Sequence, residues 1–190
     1  MIKKNIYTEY NFVLALIVLS FLSRLITVYF VRDFHFDNEW DILLNNLINY
    51  KSFSFYNFNG ELIPSAYMPP LYPFFLYLIN ILTSFKEQNL LYSIFFIQIL
   101  FSTYSVYLFY EINKNFFSNN LSLISSFIFS LVPLNIYACG QISSINLQIF
   151  FSLLFLKFLF LIIKKETNRN IIIFGIVSGL LFLTRGEFIL

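Results

Sequence analysis

The stretch FVLALIVLSFLSRLITVYFV, residues 12–31, decides the fold class. Its twenty residues, apolar apart from Arg24 and a few hydroxyl side chains, span about 30 Å as a helix, which is the hydrocarbon thickness of a bilayer. The run is too long for a signal peptide and reads as a retained anchor. Of all 190 residues, 58% are hydrophobic and only 12% are charged, more apolar surface than a soluble domain can bury. The sequence therefore predicts an all-α, polytopic membrane bundle.

Other apolar stretches extend this bundle to about five spans in a single domain over residues 1–190. The additional spans are predicted at 90–110, 121–138, 145–163 and 171–190. Residues 70–85 are apolar but short, and three prolines crowd their start, so we expect them to lie at the membrane interface. The positive-inside rule then places the N-terminus in the cytoplasm of an inner-membrane protein. Residues 32–89 become an extracytoplasmic loop with interfacial helices.

The beginning of this loop reads DFHFDNEW, residues 33–40, and is rich in acids. After it, apolar residues recur at helical spacing, which predicts an amphipathic helix over 38–50 lying flat on the bilayer. Asp37 and Glu39 fall at its N-terminal end. In one interpretation Asp37 or Asn38 only caps the helix, and Glu39 and Asp41 complement its dipole. In the other, Asp37 enters a cavity as a general base or metal ligand with Glu39 beside it.

Two arginines are candidates for stabilising an anionic group. Arg24 lies inside the first span, where a charge is costly and is a functional candidate by default. Its structural alternative is snorkelling or pairing with an acid of another helix. Arg185 lies near the outer end of the last predicted span, followed by Glu187, and its alternative is an interfacial anchor.

The segment AYMPPLYPFF, residues 66–75, brings Tyr67 and Tyr72 to the start of the short apolar stretch. Proline keeps the preceding residue out of the helical region, so the chain approaches in an extended form. The segment forms either the wall of a cleft for an apolar chain or a tight turn with a membrane anchor. The only histidine, His35, is expected to pack at the interface, and the only cysteine, Cys139, is expected to be buried.

The order of these features resembles a known family. A membrane helix, an outer loop with Asp37-Asn38-Glu39-Trp40, the segment LLNNLINYKSFSF, then AYMPPLYPFFLYLI and a closing GIVSGLLFLTRGEFIL resemble the N-terminal part of GT-C membrane glycosyltransferases. The nearest group is the bacterial branch similar to protein O-mannosyltransferases and lipid A aminoarabinose transferases. The chain stops inside an apolar run, so we expect it to be the front part of a longer enzyme.

The resemblance implies a polyprenyl-phosphate sugar donor and an envelope lipid, polysaccharide or protein acceptor on the extracytoplasmic face. It implies that Asp37 is the catalytic carboxylate or binds a divalent metal, Mg²⁺ or Mn²⁺. Glu39, Arg24, Arg185, Glu187, Tyr67 and Tyr72 become candidates for substrate binding. Members often carry a second acid in the outer loop after the third span, but residues 140–146 read GQISSIN and contain none.

Two other function classes remain open at this point. A transporter subunit needs polar groups near mid-membrane and repeated broken helices, and apart from Arg24 the spans show little of either. A non-catalytic interaction protein fits the missing second acid. The net charge of +2 gives no reason to expect a nucleic-acid partner.

Overall fold

The computed structural model describes residues 2–36, 38–56, 59–64, 68–83 and 87–185. Within these ranges the chain is almost entirely helical, which confirms the predicted all-α membrane fold, and a single short hairpin is the only sheet. The elements are α1 (Ile2–Val31), α2 (Glu39–Tyr50), β1 (Ser54–Tyr56), β2 (Leu62–Pro64), α3 (Leu71–Leu82), α4 (Glu87–Asn113), α5 (Asn119–Ser130), α6 (Pro133–Tyr137), a 3-10 turn (Ala138–Gly140), α7 (Ile145–Lys164) and α8 (Asn168–Thr184).

Three of the described helices are long and apolar enough to cross a membrane. They contain the predicted first, second and fourth spans as Glu9–Val31, Gln88–Asn113 and Ile145–Lys164. Just over half of the α4 span (56%) is buried inside the protein, against 22% for α1 and 17% for α7. Helix α4 is therefore the central helix, and most residues of the α1 and α7 spans are not buried by the rest of the described structure.

The predicted third span, 121–138, forms as two helices with a bend between them and not as one straight helix. Helix α5 ends at Ser130, and α6 with the 3-10 turn follows at an angle of 59°. The cause is Pro133, which has no N–H to continue the ladder and holds Val132 outside the helical region with ψ of 116°. The two pieces together make a fourth span if the bent pair is counted as one.

The remaining apolar helices are shorter than a regular span. Helix α8 has 17 residues, or about 25 Å, and residues 186–190 of the predicted fifth span lie outside the described ranges. Helix α3 has 12 residues, or about 18 Å, too short to cross a hydrocarbon core of about 30 Å.

Helices α1 and α4 run antiparallel, and contacts at both ends fix this arrangement. At one end the Tyr110 hydroxyl donates to Glu9 Oε1 at 2.7 Å. At the other end Arg32 Nη2 lies 3.4 Å from the Tyr92 hydroxyl, with its guanidinium over the Tyr92 ring. The segment between α1 and α4 therefore begins and ends at the same end of the bundle. We call this the loop end (Val31, Gly140, Ile145) and the opposite one the lysine end (Glu9, Lys114, Lys164).

Helix α2 forms close to where the sequence predicts it, but its apolar face packs on protein and not on the bilayer. Asn38 is the N-cap, and its Oδ1 accepts the Trp40 N–H at 3.1 Å. Leu43 and Leu44 are 0% and 2% exposed, and the Trp40 ring meets Tyr72 edge-on at 4.9 Å. The reason is that α3 offers an apolar surface next to α2, which the spacing within α2 cannot reveal.

The hairpin between α2 and α3 was not predicted. Strands β1 and β2 pair antiparallel with Phe55 opposite Ile63, and Gly60 takes a positive φ of 79° in the turn. The buried Asn46 side chain of α2 donates to the Ser54 carbonyl at 2.7 Å and ties the hairpin to the helix. Strands of three residues carry too weak a period-2 signal to be read from sequence.

The packing of α2 gives a stability prediction. Leu43→Ala removes a fully buried side chain and should destabilise this region by about 2–5 kcal/mol. Trp40 is the only tryptophan and lies in the same contact, so its fluorescence during thermal unfolding in detergent reports the loss directly. Ile42→Ala, on the exposed face of the same helix, is the control. Equal shifts for both variants would show that α2 does not dock through Leu43.

Candidate functional site at the loop end

Two segments meet at the loop end, and we call their contact the loop junction: residues 31–36 with Asn38, and residues 138–146. The Asp33 N–H donates to the Gly140 carbonyl at 2.7 Å. In return, Asp33 Oδ2 accepts the Ile142 N–H at 2.8 Å. The Asn38 side-chain amide donates to the Ile142 carbonyl at 3.2 Å. The acidic stretch after α1 is thus bonded at two points to the segment that follows α6.

Gly140 allows this close approach. A Cβ added there would lie 3.0 Å from the Arg32 Cα and 3.4 Å from the Val31 carbonyl oxygen. Both neighbours are backbone atoms, which cannot rotate away as a side chain can. Any larger residue at position 140 would therefore push the two segments of the loop junction apart.

Buried amide side chains donate hydrogen bonds to the irregular backbone of the junction. Gln98 of α4 donates to the carbonyls of Cys139 and Gln141 at 3.3 and 3.0 Å. Asn146, at the start of α7, donates to the Ala138 carbonyl at 2.7 Å. Near lipid, non-helical backbone persists only where protein groups satisfy its carbonyls, so these two amides permit the turn.

Tyr72 places a hydroxyl beside Asp33. Its ring has no exposed surface, and its hydroxyl has no hydrogen-bond partner among the described residues. The Ser143 backbone lies close to the hydroxyl. Burial raises the pKa of the Tyr72 hydroxyl strongly, and the negative charge of Asp33 raises it further. Tyr72 is therefore a neutral donor with unused capacity at the junction.

Arg24 lies seven residues before the end of α1, about 10 Å below the junction. It is completely buried and has only neutral partners. Its Nε donates to the Ser102 hydroxyl at 2.7 Å, and Nη1 donates to the Ser20 hydroxyl at 2.7 Å and to the Ser130 carbonyl at 3.2 Å. Among the described residues it neither snorkels nor pairs with an acid. Its Nη2 has no hydrogen-bond partner in the part of the chain that the structure describes, and the Cys139 thiol lies beside the guanidinium.

These contacts connect Arg24 to the break in the third span. Ser130 is the last residue of α5, so its carbonyl lies where the bend interrupts the helical ladder. A carbonyl released inside a membrane needs a new donor, and Arg24 supplies it from α1. The bend in turn directs α6 towards the end of α1, where Gly140 meets Asp33. Arg24 is thus a positioning residue for the loop junction.

The predicted site residues fall into separate groups. Glu39 is the exposed first residue of α2, and Arg185 is the partly exposed C-cap of α8. Asp37, Tyr67 and Glu187 lie outside the described residues. The predicted meeting of these groups on one side stays a prediction, although α8 does contact α3.

Arg24 and Tyr72 have no surface available to a ligand in this conformation. Their role in substrate binding stays a prediction. His35 is exposed, and Cys139 is buried as expected. No three His, Cys, Asp or Glu side chains come close enough to hold a metal ion within the described ranges.

Sequence reasoning missed the role of Asp33. It lies in the acidic stretch, but no periodicity separates it from Asp37. The one available signal was its place two residues beyond α1, where a side chain meets whatever returns to the same end. One hydroxyl partner of Arg24 could have been predicted from sequence, because Ser20 lies one turn before Arg24 on the same helix face.

The model of the dolichyl-phosphate-mannose-protein mannosyltransferase family matches residues 68–190, well over half of the chain. The match begins just before α3 and includes residues 138–146 of the loop junction. The acidic stretch of residues 33–40 lies before it. No curated protein and no solved structure matches the chain.

The positioning role of Arg24 is testable through Cys139, the only cysteine. Arg24→Ala leaves the Ser130 carbonyl without its donor and should let the segment around the 3-10 turn open more often. We expect maleimide labelling of Cys139 in membranes to become about tenfold faster, which corresponds to about 1.4 kcal/mol in the opening equilibrium. Ser23→Ala, on the same turn of α1, is the control. An unchanged labelling rate in Arg24→Ala would contradict the role.

Proposed function

Since the chain belongs to the dolichyl-phosphate-mannose-protein mannosyltransferase family and is a membrane glycosyltransferase of the GT-C type, we propose that it transfers a sugar from a polyprenyl-phosphate donor. The acceptor is an envelope lipid, polysaccharide or protein, and the reaction takes place at the loop end. The family match and three described helices that are long and apolar enough to cross a membrane support this setting.

One observation supports the loop end as the reaction site above all others. Residues 138–146 belong to the part of the chain that matches the family, and they hold Asp33 and Asn38 by hydrogen bonds. Asp37 lies between the buried Phe36 and the bonded Asn38 along the chain. The acid that the resemblance identifies as catalytic is therefore flanked by anchored residues. A general base needs such anchoring, because proton transfer requires hydrogen-bond reach to the reacting hydroxyl.

The proposed reaction is a displacement at the anomeric carbon. The acceptor oxygen forms a bond to that carbon, and the bond from the carbon to the phosphate oxygen breaks. The polyprenyl phosphate leaves with the bonding electron pair, and Asp37 takes the acceptor proton. Cationic and neutral donors stabilise the leaving phosphate. The proposed substrate contacts are Glu39, Arg185, Glu187 and Tyr67, together with Arg24 and Tyr72 in a conformation that exposes these two buried side chains.

Charge distribution supports an extracytoplasmic loop end in the inner membrane. The lysine end carries Lys114 and Lys164, followed in the chain by Lys165 and Arg169. The positive-inside rule assigns such a cluster to the cytoplasm. The acidic stretch lies at the opposite end of α1. A lipid-linked donor suits that side, because the lipid already holds the sugar at the membrane surface.

A divalent metal is part of the proposal. The described residues do not form a complete metal site, so the ion would need Asp37 together with the donor phosphate. Mg²⁺ commonly binds through one or two carboxylates and substrate phosphates, and this donor set suits it. Bound there, Mg²⁺ or Mn²⁺ would supply neutralisation of the phosphate charge.

The central test is Asp37→Asn. Loss of the base should lower sugar transfer from radiolabelled polyprenyl-phosphate sugars in membranes by about 100-fold or more. Incorporation is measured separately in the lipid, polysaccharide and protein fractions, which also identifies the acceptor class. The same acid-to-amide change at Asp41, four residues further on α2, should leave transfer nearly unchanged.

Asp33→Asn separates chemistry from positioning. An asparagine oxygen still accepts the Ile142 N–H, so this variant should keep most of the activity, whereas Asp33→Ala should lose it.

If Asp37→Asn matches the wild type while the wild type transfers sugar, the base is another residue. If the wild type transfers no sugar from any donor tested, the interaction-protein alternative gains support.

Metal dependence has its own test. Chelation with EDTA should abolish most of the transfer, and added Mg²⁺ or Mn²⁺ should restore it, because the leaving phosphate loses its charge neutralisation. The measurement is the same incorporation assay before and after chelation. Full activity in EDTA after extensive dialysis would remove the metal from the proposed function and leave the rest of it intact.

A further inference from the structure

A basic cavity at the lysine end lies far from the loop junction. It opens between α4 and α7 and has a volume of about 270 Å³. Three lysines from two separate segments line it. The lining residues are Glu111, Ile112, Lys114, Asn115, Lys157, Phe160, Leu161 and Lys164.

The charges in this cavity are unbalanced. Glu111 is the only acid in the lining, and it already pairs with Lys114 at 3.5 Å. Lys114 also lies 3.8 Å from Glu9. Lys157 and Lys164 have no acidic partner within the described residues. The cavity therefore keeps two cations without counter-charge.

Lys157 is the most unusual of the three lysines. It lies inside the α7 span, seven residues or about 10 Å from Lys164, on the same face of the helix. Its ammonium lies over the Tyr107 ring at 5.8 Å from the centroid, which stabilises the cation only partly. A charged side chain at this depth is costly and points to a functional partner. The partner that the site lacks is an anion.

We propose that this cavity binds the phosphate of an anionic phospholipid from the membrane leaflet at the lysine end. The cavity volume lies just below the usual range for ligand sites, which suits a head group but not acyl chains. Phe160 and Leu161 supply apolar surface beside the lysines, along which an acyl chain can lie. Lys164 is the last residue of α7 and Lys114 directly follows α4, so we expect a phosphate between them at the level of the lipid head groups. Asn115, with its amide near the end of α4, adds a neutral group to the lining.

The apolar flank favours a lipid over a free anion. A soluble phosphate needs only cations and water. The aromatic and aliphatic lining beside the lysines instead suits a ligand with one charged and one apolar part. The site does not depend on the proposed glycosyl transfer, and its test does not use enzymatic activity.

The experiment compares two double variants of the full chain in phosphatidylcholine nanodiscs. Lys157→Gln with Lys164→Gln removes both unbalanced cations of the cavity. Lys165→Gln with Arg169→Gln removes the same charge just outside it. Phosphatidylglycerol is titrated in, and the lipid retained is counted by native mass spectrometry. We expect the cavity variant to bind phosphatidylglycerol about tenfold more weakly and the control variant to bind like the wild type.

Three results would overturn the proposal. Equal weakening in both double variants would show a diffuse surface charge and no site. If the wild type retains phosphatidylglycerol no more strongly than phosphatidylcholine, the cavity has no preference for an anionic lipid. Displacement of the lipid by millimolar inorganic phosphate would assign the cavity to a soluble anion. If the cavity variant does not fold, Lys164→Gln against Lys165→Gln gives the same comparison with one exposed residue each.

Discussion

The hydrogen bond from Arg24 to the Ser130 carbonyl is the interaction on which the loop end depends. A proline break inside a membrane releases backbone groups that neither water nor lipid can satisfy. Here a guanidinium from the neighbouring span supplies a donor, and two serine hydroxyls spread its charge. Because the break is satisfied, α6 can bend by 59° and deliver Gly140 to the backbone of residues 31–33. The contact with Ser130 therefore gives a structural reason for a buried charge at Arg24, beside its predicted role in substrate binding.

The sequence predicted what depends on length and hydropathy alone. The first, second and fourth spans follow from apolar runs of about twenty residues, and the structure confirms them. The third predicted span forms as two helices at an angle, because Pro133 interrupts its apolar run. Helix α2 was predicted close to its observed bounds. Its apolar face was expected on the bilayer, but it packs on α3. Periodicity shows that a face is apolar but not whether lipid or another helix covers it.

The candidate site was harder to predict for a related reason. Asp33 and Ile142 are 109 positions apart, and their hydrogen bond depends on a bend that the sequence did not reveal. Local patterns identify the acids of the first loop but cannot rank them. The resemblance selected Asp37 from an ordered set of motifs, and the family match begins after that residue. The hydrogen bond to Ile142 gives Asp33 a structural role in the loop junction. Asp37 is then the acid of the first loop whose catalytic role needs testing.

Helix α4 links two chemically different ends of the protein. Gln98 supports the irregular backbone at the loop end, while Glu111 lines the basic cavity about 20 Å further along the helix. Substitutions this far apart without shared partners are expected to act independently. A loss of lipid binding in the lysine variants should therefore leave the Asp37 experiment unaffected. No chain of charged contacts joins the loop end to the basic cavity among the described residues. If ligand binding at one end nevertheless changed the other, we would infer that α4 moves as a rigid body and transmits the change.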